Sequence, residues 1–337
     1  MTIVRILRQR LRSLKLAIGR RQQLHENYEY DRRRFLCHAD PYRDLGSRRS
    51  LGAYILMLAH GLEKGFALPR TRSPFGLDKV DCLLDALANY VDRYGVDRVA
   101  SIGLGTLKHY FRCFEIDEDR IQPFLIRFDN LCIRLDSNQF ERAGVSLVKR
   151  ESITASSVID FGAFVKSRHS IRCFSDRKVE ASIIRQAVEI AMGSPSVCNR
   201  QSGRVHAYYR REEIDRILAY QNGNRGFGDQ VPCLLVVTSE LGCFLSIAER
   251  NQPWVDGGLF AMTLVYAIHS LGLGACFLNW SAEKEQDLGI RSVSDVPASE
   301  SVVVLIAVGN LPDTVKFCES PTRGVDAILR EYGDGKS

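Results

Sequence analysis

At 337 residues, with 45% hydrophobic and 26% charged residues, the chain is long enough for about two domains and has a soluble, core-forming composition. No apolar run reaches the ~18 residues that a membrane-spanning helix needs, and the N-terminus lacks the apolar core of a signal peptide, so we expect a cytoplasmic location. The ten cysteines form no Cys-x-x-Cys pair and the histidines are not clustered, which argues against a disulfide framework or a metal site. Several cysteines lie inside apolar runs, which predicts reduced, buried thiols.

The formal net charge of +6 is concentrated at the N-terminus, where every charged residue before Glu26 is basic. Residues 1–28 are predicted to form a basic amphipathic helix or arm, because apolar residues recur at three- or four-residue spacing, at Ile3, Leu7, Leu11, Leu14 and Ile18. We favour an arm that packs on its own protein or on a partner subunit. Peripheral contact of residues 1–22 with an anionic membrane surface is the alternative. No nucleic-acid partner is expected, because no aromatic-interleaved basic patch accompanies the helix.

Residues 29–150 are predicted to form an all-helical domain. Periodic apolar positions predict helical segments at 51–62, 80–91, 96–114 and 121–135. Gly95 is suited to end the second of these segments.

A polar motif, HGLEKG, covers residues 60–65. On a helix His60, Glu63 and Lys64 share a face, which fits either a small polar site or a helix end held by an ion pair. We favour the ion pair, and the role of these residues stays open.

A second domain is predicted over residues 155–335, after a polar, Ser- and Thr-rich stretch that places the boundary near residues 150–157. Ser175-Asp176 is expected to cap a helix over 179–192. Further helices are predicted at 212–220 and 256–271, and strands at 204–209, 233–238, 274–279 and 302–308. This alternation of helices with buried strands predicts a layered α/β domain on a mixed sheet.

A glycine-rich segment, residues 223–228 (GNRGFG), is a weak candidate for a phosphate loop. A dinucleotide fingerprint follows a strand and opens a helix, whereas this segment follows a predicted helix and leads into a strand. We interpret it as a loop that lines the substrate entrance.

The strongest candidate site is the motif RHSIR, residues 168–172. Two arginines four residues apart, with a hydroxyl between them, can direct several hydrogen-bond donors at one anion. Flavin mononucleotide (FMN) fits this description, because its phosphate needs charge-assisted donors and its N1/C2=O edge becomes negative on reduction. A solvated helix start is the alternative for this motif alone.

The ordered features of residues 155–335 resemble the FMN-dependent nitroreductase family. The resemblance is carried by RHSIR, by SPSVCNRQ at 194–201, by the helix ending in LGLG at 271–274, by Asn279-Trp280 and by Pro321-Thr322-Arg323. It implies an α/β (α+β) fold class, a nitroreductase-like mixed, largely antiparallel sheet flanked by helices and preceded by an all-helical region.

The resemblance implies site residues position by position. Arg168 and Ser170 match positions that hold the FMN phosphate and ribityl oxygens, and Arg172 matches the cation that faces N1 and the C2 carbonyl. His169 lies inside this cofactor-binding set, and we assign it no proton transfer. No catalytic side chain is implied.

Residues outside the motif complete the implied site. Ser196 and Asn199 match a loop that reaches the flavin bound mainly by the other subunit, which implies a homodimer with shared sites. The backbone N–H groups of Asn279 and Trp280 match those that face N5 and the C4 carbonyl. The late basic residue that closes on the phosphate is matched by Arg323, with Lys316 as a weaker candidate.

The sequence departs from the family pattern at two places. Ser202-Gly203 stands where many members have Pro-Trp, and Asn279-Trp280 stands where many have Gly-Gly or Glu-Gly. A bulky Trp280 beside the flavin would narrow the pocket or stack on a planar ligand. These departures put the substrate class in doubt.

The implied activity is an NAD(P)H oxidoreductase that passes hydride through flavin N5 to an unidentified small acceptor with ping-pong kinetics. One alternative is a flavin enzyme of the same fold whose helical extension selects a specialised substrate. Another is a non-catalytic flavin-binding protein in a membrane-associated biosynthetic assembly. The helical extension loosely resembles those of nitroreductase-like proteins associated with surface-polysaccharide genes.

Overall fold

The computed structural model describes residues 2–67, 74–114, 119–135, 140, 143–146, 149–150, 159–318 and 324–333. In the first helix, side chains are described for Arg12 and from Leu14 onward. Within these ranges no helix is long and apolar enough to cross a membrane.

The N-terminal region is helical, as the apolar periodicity predicts. The helices among its described residues are α1 (Thr2–His38), α2 (Arg48–Ala67), α3 (Leu77–Tyr94), α4 (Arg98–Cys113) and α5 (Gln122–Leu135). Helix α3 ends where predicted, at Gly95, whose N–H donates to Val91 O and whose φ of 76° is the left-handed value that glycine adopts without strain. The Asp97 side chain accepts from Ala100 N–H and so begins α4.

Helices α2 to α5 share one hydrophobic core. Its fully buried members include Leu62, Leu87, Tyr90, Leu104 and Tyr110. None of the described side chains of α1 belongs to this core, and the helix continues without a break to His38, past the arm boundary predicted at residue 28. The domain division therefore stays a prediction on this side.

The second half of the chain forms a four-stranded antiparallel sheet with helices on both faces. In chain order its elements are α6 (Phe161–Ser167), α7 (Ala181–Ala191), β1 (Gly203–Tyr208), α8 (Arg211–Leu218), β2 (Cys233–Glu240), α9 (Gln252–Ser270), β3 (Leu273–Asn279), α10 (Lys284–Val293) and β4 (Glu300–Asn310). The strand order is β1-β2-β4-β3. The predicted fold class is confirmed. Parallel pairing in this sheet is represented by an isolated bridge between Ser170 and Ala275.

The two faces of the sheet are buried by different helices. Alternate residues of β2, such as Leu235 and Val237, pack with α7 and α9 on one face. The intervening residues Leu234 and Val236 pack with α8 and with Ile290 of α10 on the other. Strand β2 is consequently buried along its whole length, which explains its continuous apolar run.

The two regions meet through a small apolar cluster, in which Phe35 and Ala39 pack with Cys243 and Phe244, and through polar contacts. The N–H of Asp40 donates to Phe244 O at 2.9 Å, and the Nε of Arg49 lies 3.0 Å from the buried carboxylate of Glu240. Arg34 of α1 donates to the carbonyl oxygens of Ala298 and Glu300 at 3.1 and 2.7 Å. Because each contact joins residues about 200 or more positions apart, sequence periodicity could not reveal them.

Two expectations from the sequence are wrong in detail. Ser175-Asp176 does not cap the next helix: α7 begins after Glu180, and the N–H of Ser175 donates to Asn310 O, which ties this segment to the end of β4. The cysteines were expected to be largely buried, yet five are exposed: Cys37, Cys82, Cys113, Cys173 and Cys318.

Candidate functional site

The arginine motif forms an extended segment beside β3, at the edge of the sheet. The N–H of Ile171 donates to Ala275 O at 3.0 Å, and Ser170 bridges to the same residue. Gly274 permits this approach, since a Cβ at that position would lie 3.0 Å from Ile171 Cγ2. The backbone therefore holds Arg168 and Arg172, two residues to either side of Ser170, at one sheet edge.

Both guanidiniums create a positive potential over β3. Burial raises the pKa of the Cys276 thiol, and the charges of Arg172 and Arg168 oppose that rise. Burial lowers the pKa of His269, and the charge of Arg168 lowers it further. Neither guanidinium forms an ion pair with a carboxylate of the described ranges; Arg172 donates to Ser170 O at 3.4 Å and lies 4.0 Å from Cys318 Sγ. Their charge is available to an anion.

A C-terminal segment covers part of the motif. The ring of Phe317 stacks on His169, with centroids 3.5 Å apart and planes inclined by 13°. Lys316, the weaker candidate for phosphate contact, is exposed beside it. Arg323, the stronger candidate, lies outside the described residues.

The predicted loop with Ser196 and Asn199 is a tight turn held in an unusual conformation. Cys198 and Asn199 adopt φ values of 48° and 53°, in the left-handed region that β-carbon-bearing residues seldom enter. The Ser196 hydroxyl accepts from Gln201 N–H at 2.9 Å, and the buried Asp256 accepts from Val197 N–H at 3.2 Å. These bonds offset the cost of the strained backbone.

The arginine motif and the Ser196 loop lie at opposite ends of α9. The loop bonds to Asp256 near the start of this helix, whereas Ser167, next to Arg168, contacts Nε2 of His269 near its end at 2.8 Å. Thirteen residues of helix separate the two points, or about 20 Å. The structure therefore does not bring these two sets of predicted residues together within one chain.

Asn279 and Trp280 lie at the end of β3, and Trp280 borders the contact with α1. Asn279 O accepts from the Nε2 of Gln221 at 3.1 Å, and the Nε1 of Trp280 donates to Asp287 at 3.2 Å. Trp280 also lines a cavity of about 450 Å³ between α1 and the sheet domain, together with Trp254, Arg20 and Lys284. A residue predicted near the flavin thus also borders a pocket to which the N-terminal helix contributes.

Asp287 is the centre of a polar cluster at this contact. It accepts from Tyr30 OH at 2.7 Å and from Arg291 Nε at 2.9 Å, and Arg34 lies 3.7 Å away. Burial acts to raise the pKa of Asp287, but the bond from Arg291 and the charges of Arg291 and Arg34 hold it below its usual range. Burial and the bond to Asp287 raise the pKa of Tyr30 to about 12.

A second cavity, of about 580 Å³, opens beside the Ser196 loop. Its apolar walls come from α7, β1 and α9, and Ser196, Asp256 and Phe260 lie on its border. The region of Ser202-Gly203, one of the departures from the family pattern, lines the same cavity. Gly203 is required there, since a Cβ would lie 2.9 Å from Phe260 Cγ.

The structure also shows the surroundings of the two weaker motifs, residues 60–65 and 223–228. Glu63 accepts from Gly144 N–H at 2.9 Å and so joins α2 to a later loop. The segment 223–228 follows α8 and leads to β2, as predicted, with Gly228 N–H bonded to Asn224 O. Its proposed place at a substrate entrance stays a prediction. No metal-binding group of three or more His, Cys, Asp or Glu side chains occurs within the described ranges.

Sequence reasoning missed the residues that position the site. Asp256 is the acidic residue in an otherwise apolar helix, a signal that a buried acceptor was needed there. Arg200, only 2% exposed, pairs with Glu249 at 3.1 Å behind the Ser196 loop. No local pattern distinguishes Arg200 from the other arginines of this basic chain.

Comparison with known proteins identifies the second half of the chain. The model of the nitroreductase family matches residues 165–224 and 218–310. A protein of Methanothermobacter thermautotrophicus, named in the NADH dehydrogenase/NAD(P)H nitroreductase class, is 27% identical over 142 residues, which is 42% of this chain and 72% of that protein.

Solved structures align with the same half. An FMN-dependent nitroreductase of Clostridium difficile is 23% identical, with a TM-score of 0.40, over 47% of this chain and 91% of its own. A nitroreductase of Desulfovibrio desulfuricans solved with FMN is 20% identical, with a TM-score of 0.45, over 52% of this chain and 98% of its own. Residues 165–310 form a domain of the nitroreductase family, which follows a helical N-terminal region.

Proposed function

We propose that the protein is an FMN-dependent oxidoreductase that takes electrons from NAD(P)H and passes them to a small acceptor. One observation carries the proposal: in a nitroreductase-family domain, Arg168 and Arg172 are fixed at a sheet edge without a carboxylate partner among the described side chains. The name of the archaeal relative supports NAD(P)H as the electron donor.

The donor set fits FMN. Two guanidiniums and the Ser170 hydroxyl supply the charge-assisted bonds that a phosphate monoester and an electron-rich ring edge require. Arg168 and Ser170 would hold the phosphate end, and Arg172 would stabilise negative charge at the ring edge. His169 would contribute to binding, and Arg323, with Lys316 as the weaker candidate, would add charge near the phosphate.

The bound flavin supplies two-electron transfer between donor and acceptor, and ping-pong kinetics are expected. The chain contributes orientation and electrostatics. Backbone N–H groups at Asn279 and Trp280 would donate to the ring, and the Trp280 indole would limit the size of the acceptor. No side-chain acid or base is required by this proposal.

We also propose a homodimer with shared sites. Helix α9 carries an exposed apolar face formed by Trp254, Val255 and Leu259, which are 45%, 51% and 46% exposed. If two copies of α9 packed antiparallel about a twofold axis, the start of one helix would lie beside the end of the other. Ser196 and Asn199 of one subunit would then approach the arginine motif of its partner. Within one chain they cannot meet, because about thirteen helical residues, or about 20 Å, separate them.

A specialised enzyme is the second candidate, and the helical region favours it. Helix α2 packs against the turn Val197–Asn199, and α1 forms one wall of the cavity beside Trp280. A region that touches both the loop and this cavity would restrict the acceptor more than in a nitroreductase without such an extension. We propose the division into this helical region and a flavin domain over residues 155–335 on the same grounds.

The visible absorption spectrum of the purified protein, recorded before and after anaerobic addition of NADPH or NADH, tests the proposal. A flavin spectrum that bleaches is the expected result and directs the search to acceptors. A flavin spectrum that neither NADPH nor NADH bleaches would support a binding role. A colourless protein that cannot be reconstituted with FMN would overturn the proposal.

A further inference from the structure

Helix α1 presents a large apolar surface that the rest of the described chain leaves uncovered. Leu14, Leu16, Ile18 and Leu24 are each more than half exposed, at 58%, 56%, 58% and 58%. Exposed leucines and isoleucines are ordinary when scattered, but Leu14 and Ile18 lie about one turn apart on one side of α1 and form an apolar stripe. Leu16 lies on the opposite side of the helix, and Leu24 borders the cavity beside Trp280. This surface is independent of the flavin site.

The side of α1 that docks on the protein is a different one. Gln23 bonds to Glu283, Asn27 accepts from Lys284 N–H, and Tyr30 and Arg34 contact Asp287. At 3.6 residues per turn these four positions form one stripe along the helix. The docking stripe is entirely polar.

The apolar stripe faces away from the docked side. Leu14 precedes Gln23, and Ile18 precedes Asn27, by nine residues, which is about two and a half turns of helix. Each of these apolar side chains is therefore half a turn away from the polar stripe. Docking of α1 on its own domain leaves the apolar stripe in solvent within the described chain, and packing of the arm on a partner subunit stays a prediction.

The charge around this stripe identifies its partner. Lys15 and Arg21 lie within about a third of a turn of Leu14 and Ile18. Arg12 and Arg20 lie nearer the opposite side of the helix, where Arg20 borders the cavity beside Trp280, and no acidic residue precedes Glu26. In the sequence, the same apolar spacing and the same basic composition continue back to the start of the chain.

We propose that the first part of α1 lies on the surface of an anionic lipid bilayer. Its apolar stripe would enter the boundary between headgroups and acyl chains, and its cations would pair with lipid phosphates. A second copy of the helix is a poor partner, because cations would meet cations without an acidic residue to offset them. Nucleic acid would leave the exposed leucines in water.

The test is co-sedimentation of the full-length protein with vesicles. Phosphatidylcholine vesicles containing phosphatidylglycerol should bind the protein, and pure phosphatidylcholine vesicles should bind it much less. The double substitution Leu14→Glu and Ile18→Glu should weaken binding by about a hundredfold, since each change removes an inserted side chain and adds a repelled charge.

Ile133→Glu is the matched control. Ile133 is 77% exposed on α5, so this change adds the same charge at an exposed apolar position outside α1. It should leave vesicle binding unchanged, and equal far-ultraviolet circular dichroism of all variants would establish that they fold alike.

Three outcomes would overturn the proposal. The first is that the protein does not bind anionic vesicles, and the second is that the doubly substituted protein binds them as well as the unsubstituted one. The third is that the protein does not bind vesicles but self-associates or binds duplex DNA, and that the double substitution abolishes this interaction. Flavin content and NAD(P)H oxidation are measured on the same samples, so failure of the flavin proposal would be seen separately.

Discussion

At the scale of single residues, the proposed site rests on two guanidinium groups, of Arg168 and Arg172, that the backbone positions and that no described carboxylate neutralises. Ser170 is fixed by its bridge to Ala275, so the arginines on either side cannot move together toward solvent. Rigid presentation of a charge lowers the entropy lost when an anion binds.

Substitution of these arginines should separate their roles. We expect Arg168→Ala to weaken FMN binding about tenfold to hundredfold, because one charge-assisted hydrogen bond contributes about 1.5–3 kcal/mol. Arg172→Lys should retain FMN and lower the midpoint potential of the bound flavin, because a lysine cannot reproduce the planar fork. Fluorescence titration and equilibrium dye reduction measure the two effects.

Arg177→Ala is the control for these substitutions, since Arg177 lies on the same segment and is exposed. It should leave both quantities unchanged. Equal FMN affinity in Arg168→Ala and the unsubstituted protein would remove this residue from the proposed site.

The sequence predicted residues of the proposed site only where they belong to a short local motif. The arginines and the Ser196 loop stand in short recognisable segments. Asp256 and Arg200 position that loop through bonds to Val197 N–H and to Glu249, and such partners are chosen by the folded geometry alone. Asp256 was marked in the sequence only by its place in an otherwise apolar helix, and nothing distinguished Arg200 from the other arginines of this chain.

At the scale of elements, α1 is held by a buried charge cluster together with an apolar contact of Phe35 near its end. The pKa of Asp287 lies below its usual range in the folded state. A carboxyl group with a lowered pKa stabilises the fold above about pH 4, and this contribution is lost as the pH falls through its folded-state value.

Removing the charge of Asp287 should therefore destabilise the protein in a pH-dependent way. At neutral pH, Asp287→Asn should cost about 3 kcal/mol, because Arg34 and Arg291 would stay buried without their counter-ion. The difference from the unsubstituted protein should shrink as the pH falls below about 4. Urea unfolding at several pH values measures it.

A surface pair with the same spacing provides the control. Asp215 and Arg211 are four residues apart on α8, as Asp287 and Arg291 are on α10, but Asp215 is 55% exposed. Asp215→Asn should change stability by less than about 0.5 kcal/mol at any pH. A similar loss of stability in Asp287→Asn and Asp215→Asn would mean that burial does not increase the contribution of the Asp287 cluster to stability.

Helix boundaries were predictable where their causes are local. Gly95 ends α3 through its own left-handed backbone, and the spacing of apolar residues marks the helix before it. The start of α7 was predicted too early, because Ser175 bonds to the distant residue Asn310 instead of capping the helix. Contacts that are distant in sequence explain both the error and the unforeseen docking of α1.

At the scale of the whole molecule, the separation of the two predicted halves of the site has a direct consequence: flavin binding and dimerisation should be linked. Leu259→Glu places a charge on the exposed apolar face of α9. We expect it to shift the protein toward monomer and to lower FMN affinity at the same time, because the Ser196 loop of the partner would be lost. Analytical ultracentrifugation with and without FMN checks both effects.

The exposed Ile133 again offers a control, since Ile133→Glu should alter neither property. A monomeric Leu259→Glu protein that binds FMN with unchanged affinity would contradict a shared site. At this scale the sequence predicted the fold class and the helical extension. It did not predict how the extension docks, because the contact is largely polar and joins residues that are distant in sequence.

Helix α1 also gives the molecule a built-in spacer. Its 37 residues form one continuous helix, and its contacts with the domain begin near Gln23. The twenty-one residues from Thr2 to Gln22 measure about 30 Å at 1.5 Å per residue. A fluorophore attached at the start of α1 would thus lie at a defined distance from a second fluorophore on the sheet domain. Energy transfer between the two would report bending of α1 or its release from the domain.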